Sequence, residues 1–109
     1  LPLLQNAKNG RVLFTTADSA THADAFWGAY AIAYAGIEAQ MSLWHEELEN
    51  TTNLRFNCIN PGPVRTTMRR LSHPGEIAEE SPAPIEIMPA YLQALSTIDS
   101  AYRGKILIV

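Results

Sequence analysis

The segment Ala25–Glu49 constrains the fold most, because it is long, contains no proline and has the residue spacing of a packed helix. Its larger apolar side chains recur every three or four residues, at Tyr30, Tyr34, Ile37, Met41, Trp44 and Leu48. Side chains with this spacing share one face of an α-helix. The sequence therefore predicts a helix over Ala25–Glu49 with one apolar stripe.

Segments with the composition of β-strands lie on both sides of this helix. Arg11–Thr16 precedes it, and its continuous rather than alternating apolar middle is typical of a strand covered on both faces. Leu54–Ile59 follows it, and N-P-G-P then ends that strand, because proline cannot continue a central ladder. Two strands joined by a helix predict a right-handed βαβ unit with parallel strands.

The rest of the chain continues this alternation. Leu1–Leu4 is expected to be the tail of a helix, and Gly10 can take the left-handed conformation that ends helices. A proline-rich loop follows the second strand and contains one short helix around Thr66–Leu71. A helix over Ile85–Tyr102 leads to a last strand, Lys105–Val109. The order predicts an α/β fold with a doubly wound parallel sheet.

The composition argues against several classes of function. The residues are 47% hydrophobic and 17% charged, with a net charge of −3, which is typical of a globular domain and argues against a nucleic-acid partner. We expect no membrane partner, because no apolar run could span a bilayer and no signal peptide begins the chain. The single cysteine, Cys58, is expected to be a buried small hydrophobe, and it favours a cytoplasmic location.

Both ends of the sequence have the character of cut ends. The chain opens on L-P-L-L-Q rather than on methionine, and it stops on the apolar run K-I-L-I-V, which is typical of a buried strand. We therefore expect residues 1–109 to form a single domain or a fragment of a longer polypeptide.

Three segments are expected to meet at the carboxyl edge of the predicted sheet, where open α/β proteins bind ligands. T-T-A-D-S-A follows the first strand, N-P-G-P-V-R-T-T-M follows the second, and W-G-A-Y begins the long helix. Tyr30 and Tyr34 are one turn apart on that helix, so their phenol rings share one face. The residues alone leave open whether this face packs in the core or lines a cleft.

A characteristic succession of segments runs through the chain: R-V-L-F-T-T, W-G-A-Y, an alanine-rich helix, L-R-F-N-C-I-N-P-G-P-V-R-T and a terminal G-K-I-L-I-V. It resembles the carboxy-terminal half of the short-chain dehydrogenase/reductase family, and especially uncharacterised bacterial oxidoreductases with an N-P-G-x-x-R-T-x-M-R loop. The resemblance covers essentially the whole chain. It implies the corresponding half of a Rossmann-like fold and an NAD(P)-dependent oxidoreductase that acts on a carbonyl or secondary alcohol.

The resemblance also implies a site around Tyr30. In the family, a tyrosine at the matching position passes a proton to or from the substrate oxygen while hydride moves between the substrate and the nicotinamide of NADP or NAD. By the same resemblance, Pro61, Gly62 and Val64 line the carboxamide, and Thr66 reaches a phosphate oxygen. The family's glycine-rich phosphate loop lies outside this stretch, which would therefore hold only the nicotinamide end.

Two positions depart from the family pattern. The usual motif is Tyr-x-x-x-Lys, whose lysine lowers the pKa of the tyrosine, but the fourth residue after Tyr30 is Tyr34. The usual substrate-orienting serine is matched by Ala17, and only a shift of the strand end would bring Thr16 or Ser19 into its place. Two hypotheses stay open: an oxidoreductase with Tyr30 as acid/base, or a catalytically lapsed member that serves as a binding or assembly module.

The long helix carries a second stripe, made of small residues that would let another backbone approach closely: Gly28, Ala31, Ala35 and Ala39. Members of the family commonly pair through the matching helix across a two-fold axis. We therefore expect a homodimer through Ala25–Glu49.

Other residues give weaker signals. Arg65, Arg69 and Arg70 form the densest positive cluster, which is either an anion-facing surface or a solvated helix face. Trp27 and Trp44 are expected to anchor the core or an interface. The three histidines have no metal-ligand spacing, so no metal site is predicted.

Overall fold

The computed structural model describes residues 2–22, 24–96 and 102–109. In chain order its elements are α1 (Pro2–Asn6), β1 (Arg11–Thr15), a 3₁₀ turn (Asp18–Ala20), α2 (Gly28–Leu48), β2 (Arg55–Asn60), α3 (Thr67–Ser72), a second 3₁₀ turn (Ala78–Glu80), α4 (Pro84–Ser96) and β3 (Ile106–Ile108). The predicted alternation of strands and helices is confirmed. Residues 97 to 101 of the last predicted helix lie outside the described residues, and its predicted end, Tyr102, lies in a bend and not in a helix.

The strands form one parallel sheet in the order β1–β2–β3. Helices α2 and α4 cover opposite faces of it, because the hydroxyl of Thr16 bonds to Glu38 on α2 whereas that of the preceding Thr15 bonds to Tyr91 on α4, and successive residues of an extended chain point to opposite sides. A parallel sheet with helices on both faces is the predicted doubly wound arrangement.

Strand β2 is central and carries much of the core. Phe56, Cys58 and Ile59 are almost fully buried, whereas β1, at the edge of the sheet, is only partly buried. Both faces of β1 are contacted as its composition predicts, since Phe14 packs against Trp44 of α2 and Thr15 bonds to Tyr91 of α4. Among the described residues β1 has a hydrogen-bonded neighbour on one side only, which accounts for its partial exposure.

Helix α2 packs its apolar stripe on the sheet. Met41 is buried, and Trp44 contacts Phe14 and Phe56 with ring centroids 6.1 and 5.5 Å apart. The predicted stripe and the predicted anchoring role of Trp44 are confirmed. Among the helices of the described residues, none is both long and apolar enough to cross a membrane.

Gly10 is needed for a different reason from the predicted one. The described glycines with a positive φ are Gly62 and Gly104, so Gly10 does not adopt a left-handed helix end. Instead, a Cβ at residue 10 would clash with Leu54 Cδ2 and would lie 2.7 Å from the carbonyl oxygen of Leu4. A backbone oxygen cannot move aside as a side-chain end can, so close approach of the chain excludes a larger residue here.

The predicted burial of Cys58 is confirmed, since its side chain is fully buried. This burial predicts that the thiol reacts slowly. Burial, followed by the negative charge of Glu38, raises the pKa of the thiol from 9.0 to about 11. Because the thiolate is the nucleophile, a shift of this size leaves roughly a hundredfold less of it near pH 8. We expect Cys58 in the folded protein to react with a thiol reagent at least about 100-fold more slowly than in urea, as measured by the absorbance of the released chromophore.

The same shift sets the direction of a pH effect on stability. The folded state holds the thiol proton more tightly than the unfolded state, so this contribution is complete below pH 9.0 and is lost as the pH rises toward 11. A Cys58→Ala variant should lack this contribution to the alkaline slope of the unfolding free energy. Rapid modification of the native protein at pH 8 would contradict the buried position.

Candidate active site

A cleft of about 680 Å³ opens at the carboxyl ends of β1 and β2. It is lined by residues from the loop after β1, the first turns of α2 and the loop after β2, including Ala17, Tyr30, Tyr34, Pro61, Gly62, Val64 and Thr66. The three segments meet there as predicted. The cleft has the size of small-molecule sites, and its position is where open α/β sheets bind ligands.

Tyr30 lies in the first turn of α2 with 38% of its surface exposed. Its ring and that of Trp27 pack in a T-shaped arrangement, with the ring centroids 5.1 Å apart. Its hydroxyl makes no hydrogen bond to the described residues. A ring held on one side, with a hydroxyl that has no protein partner in the part of the chain described, can present that hydroxyl to a bound molecule.

The position of the missing serine is occupied by Ala17, which lines the cleft without a hydroxyl. Thr16 does not replace it, because its hydroxyl donates to Glu38 Oε2 at 2.9 Å. Ser19, in the turn Asp18–Ala20, lines the cleft, and its hydroxyl has no partner among the described residues. Thr16 and Ser19 were the two hydroxyls that the sequence offered near this position, and among the described residues only that of Ser19 has no hydrogen-bond partner.

Asn60 joins the two loops that follow the strands. It is 8% exposed, and its Nδ2 donates to Asp18 Oδ1 at 2.6 Å, while its Oδ1 accepts from the backbone N–H of Gly62 at 2.9 Å. Gly62 has a φ of 71°, a conformation that a residue with a Cβ rarely adopts. Sequence analysis missed this role of Asn60, although asparagine before Pro-Gly is typical of a side chain that bonds to the backbone two residues later.

The short helix α3 forms a wall over the start of α2. The Trp27 and His73 rings are stacked, with centroids 5.0 Å apart and planes 19° apart. Of the two predicted positions for Trp27, the core or an interface, the core is wrong, because Trp27 lines the cleft. Thr66 Oγ1 accepts from the backbone N–H of Arg69 at 3.1 Å, which caps α3 and leaves the hydroxyl proton of Thr66 available to a ligand.

Helix α4 closes another side of the cleft. Tyr91 and Ile87 line it, and the hydroxyl groups of Tyr91 and Thr15 are 2.9 Å apart, a hydrogen bond that ties α4 to the end of β1. These residues carried no signal in the sequence, because the helical spacing around Ile87 is that of ordinary packing. Their contribution depends on how α4 crosses the sheet.

Cationic groups in the cleft are few. Among the described lining residues there is no lysine, and the arginine is Arg69. Arg69 is held by Glu76 through two N–H···O bonds, one of 2.8 Å, and this pairing raises the pKa of Arg69 and lowers that of Glu76. Tyr34 brings no charge to the position where the family has a lysine.

Comparison of the sequence with models of known protein families agrees with this arrangement of the cleft. The family model described as short chain dehydrogenase matches residues 1–76. The chain belongs to this family.

Relatives within the family support both the sequence match and the fold. YciK, an uncharacterized oxidoreductase of Escherichia coli strain K12, is 39% identical over 92 residues, which are 84% of this chain and 36% of YciK. A short chain dehydrogenase from Salmonella enterica serovar Typhi strain CT18 is 38% identical with a TM-score of 0.90, covering 99% of this chain and 44% of that one. A Shigella flexneri 2a strain 301 short chain dehydrogenase complexed with NADP is 37% identical with a TM-score of 0.89, at the same coverage. The Rossmann-like fold is confirmed, and the chain spans less than half the length of these relatives.

Proposed function

We propose that this chain forms the substrate side of an NAD(P)-dependent oxidoreductase that acts on a carbonyl or secondary alcohol. The observation that carries the proposal is the position of Tyr30, whose hydroxyl has no partner among the described residues and whose side chain lines the same cleft as the Pro61-Gly62 loop. Membership of the family and the NADP bound to the Shigella relative support a nicotinamide cofactor, either NADP or NAD.

The residues present fit the nicotinamide end of such a cofactor. A Cβ added at Gly62 would meet no atom of the described residues within 4 Å, so a flat ring can approach the backbone there. Pro61 and Val64 would form apolar walls beside the carboxamide, and Thr66 would donate its remaining proton to a phosphate oxygen. When bound, the nicotinamide supplies or accepts the hydride.

Tyr30 would act as the acid/base. In the direction of carbonyl reduction, its hydroxyl donates a proton to the substrate oxygen, and in the direction of alcohol oxidation its oxygen receives that proton. Asn60 would keep the cleft in shape by holding Asp18 and Gly62. The bond from Asn60 occupies Oδ1 of Asp18, a residue that also lines the cleft.

A lapsed enzyme that serves as a binding or assembly module is the second candidate. It is favoured by Ala17 and Tyr34, which line the cleft at the two positions where the family has a hydroxyl and a cation. The test is the absorbance of NADPH or NADH, incubated with the full-length protein and a panel of aldehydes and ketones. Turnover supports the oxidoreductase, and saturable cofactor binding without turnover supports the lapsed module.

We also propose that two copies pair through α2. Ile32 and Leu43 are 77% and 56% exposed, and Ala35 and Ala39 between them are also exposed. Their spacing places them along one face of the helix, and large exposed apolar faces often mark interfaces. The lone cysteine supports a cytoplasmic location for this assembly, which stays a prediction.

The homodimer predicts a clear hydrodynamic result. Sedimentation of the full-length protein should give twice the monomer mass, and Ala35→Arg should raise the dissociation constant at least about 100-fold, because it places a charge in an apolar interface. Ala7→Arg, which adds the same charge at an exposed site outside α2, is the control and should leave the dimer intact. A monomer at high concentration would overturn the proposal.

A further inference from the structure

A second pocket of about 350 Å³ lies beside the cleft, between α3 and the turn Ala78–Glu80. Thr66, Arg69 and His73 line both spaces. The remaining residues of the pocket are Arg65, Thr67, Arg70, Glu76, Ala78 and Ser81. A ligand in this pocket would therefore lie next to the candidate active site.

The charge of this pocket is opposite to that of the chain. Its lining includes three arginines and one carboxylate, although the net charge of the chain is −3. The carboxylate, Glu76, is already bound by Arg69, and the glutamates of the turn Ala78–Glu80 do not line the pocket. The side chains of Arg65 and Arg70 have no hydrogen bond or ion pair with the described residues. The positive charge of the pocket is therefore only partly balanced within the part of the chain described.

Ser81 contributes a hydroxyl to the pocket. The residue is 8% exposed and lines the pocket, and its hydroxyl makes no hydrogen bond to the described residues while remaining accessible from the pocket. This hydroxyl is therefore available to donate to an acceptor in the pocket. The backbone N–H of Arg65 donates to the carbonyl oxygen of Pro82 at 2.8 Å, which holds the arginine close to the serine.

We propose that this pocket binds a carboxylate or phosphate group of the substrate, so that the protein acts on an anionic carbonyl compound. An oxyanion would accept charge-assisted hydrogen bonds from Arg65 and Arg70 and a neutral one from Ser81. Because Thr66, Arg69 and His73 line both spaces, the proposal requires one molecule to reach past these side chains from the cleft into the pocket. Anion binding follows from the pocket itself, whereas the assignment of the anion to a substrate rests on the proposed oxidoreductase function.

A matched pair of ligands tests the inference. The full-length protein with NADP present is titrated calorimetrically at low salt with para-carboxybenzaldehyde and with its neutral methyl ester. We expect the acid to bind at least about tenfold more tightly than the ester. Inorganic phosphate should weaken the binding of the acid and leave the binding of the ester unchanged. In Arg65→Gln/Arg70→Gln the preference should disappear, and in Ser81→Ala the acid should bind about fivefold more weakly.

The control variant is Lys8→Gln/Lys105→Gln, which removes the same charge from exposed sites at the opposite edge of the sheet. It should keep the preference, which separates a local site from a general charge effect. Equal binding of acid and ester would overturn the inference. So would an arginine variant that binds NADP tenfold more weakly but still prefers the acid, because the pocket would then serve a cofactor phosphate. Preference for the acid without reduction of any aldehyde would support the pocket and count against the proposed reaction.

Discussion

Replacing Tyr30 by phenylalanine is expected to lower the rate of carbonyl reduction at least about 100-fold while leaving the fold intact. The change removes the hydroxyl that would protonate the substrate oxygen, and a positioned general acid contributes roughly 10² to 10⁴ in rate. The ring and its contact with Trp27 are kept. Because the hydroxyl has no partner among the described residues, its loss leaves no buried group unpaired there, and the free energy of unfolding should change by less than about 0.5 kcal/mol.

The measurement is steady-state oxidation of NADPH by the full-length protein, with the melting temperature recorded in parallel. Tyr34→Phe is the matched control, because it removes a hydroxyl one helical turn away in the same cleft. It should change the rate by less than about threefold, since Tyr34 is not assigned a proton. An unchanged rate in Tyr30→Phe, or an equal loss in both variants, would show that Tyr30 is not the acid/base.

Restoring the lysine and the serine of the family pattern should raise the rate of carbonyl reduction. We expect Tyr34→Lys combined with Ala17→Ser to raise turnover at least about 100-fold. A lysine one turn after Tyr30 would place an ammonium group near the phenol and favour the phenolate, and a serine at position 17 would donate a hydrogen bond to the substrate oxygen. Both positions line the cleft, so the new groups enter the space where the reaction would occur.

The single variants separate the contribution of the lysine charge from that of the serine hydroxyl. Tyr34→Met changes the side chain without adding a charge and is the control for the lysine. Adding Tyr30→Phe to the double variant should abolish the gain, because the lysine acts through the tyrosine. An inactive natural protein that becomes active in the double variant would identify a lapsed enzyme with an intact scaffold. A double variant that is no faster than the natural protein would show that the cleft does not have the geometry of the family's active site.

The course of the backbone was largely predictable. The three-to-four-residue spacing of Ala25–Glu49 predicts α2, which runs from Gly28 to Leu48. The N-P-G sequence predicts the end of β2, which is Asn60. These features depend on residues that are neighbours in the chain, where periodicity and the rigid ring of proline act directly. The predicted location of Tyr30 beside the Pro61-Gly62 loop followed from a general property of parallel sheets, which gather their carboxyl ends at one edge.

The sequence by itself determined the fold class, the order of the elements and the edge of the sheet where the cleft lies. Only the tertiary structure decided which side chains complete that cleft: Asn60 bridging to Asp18, Trp27 stacked on His73, and Tyr91 bonded to Thr15. It also placed Arg65 and Arg70 in one pocket with Ser81, where the sequence left open either an anion-facing surface or a solvated helix face. The physical reason is that local spacing sets backbone conformation, whereas contacts between residues far apart in the chain depend on how the helices and loops pack.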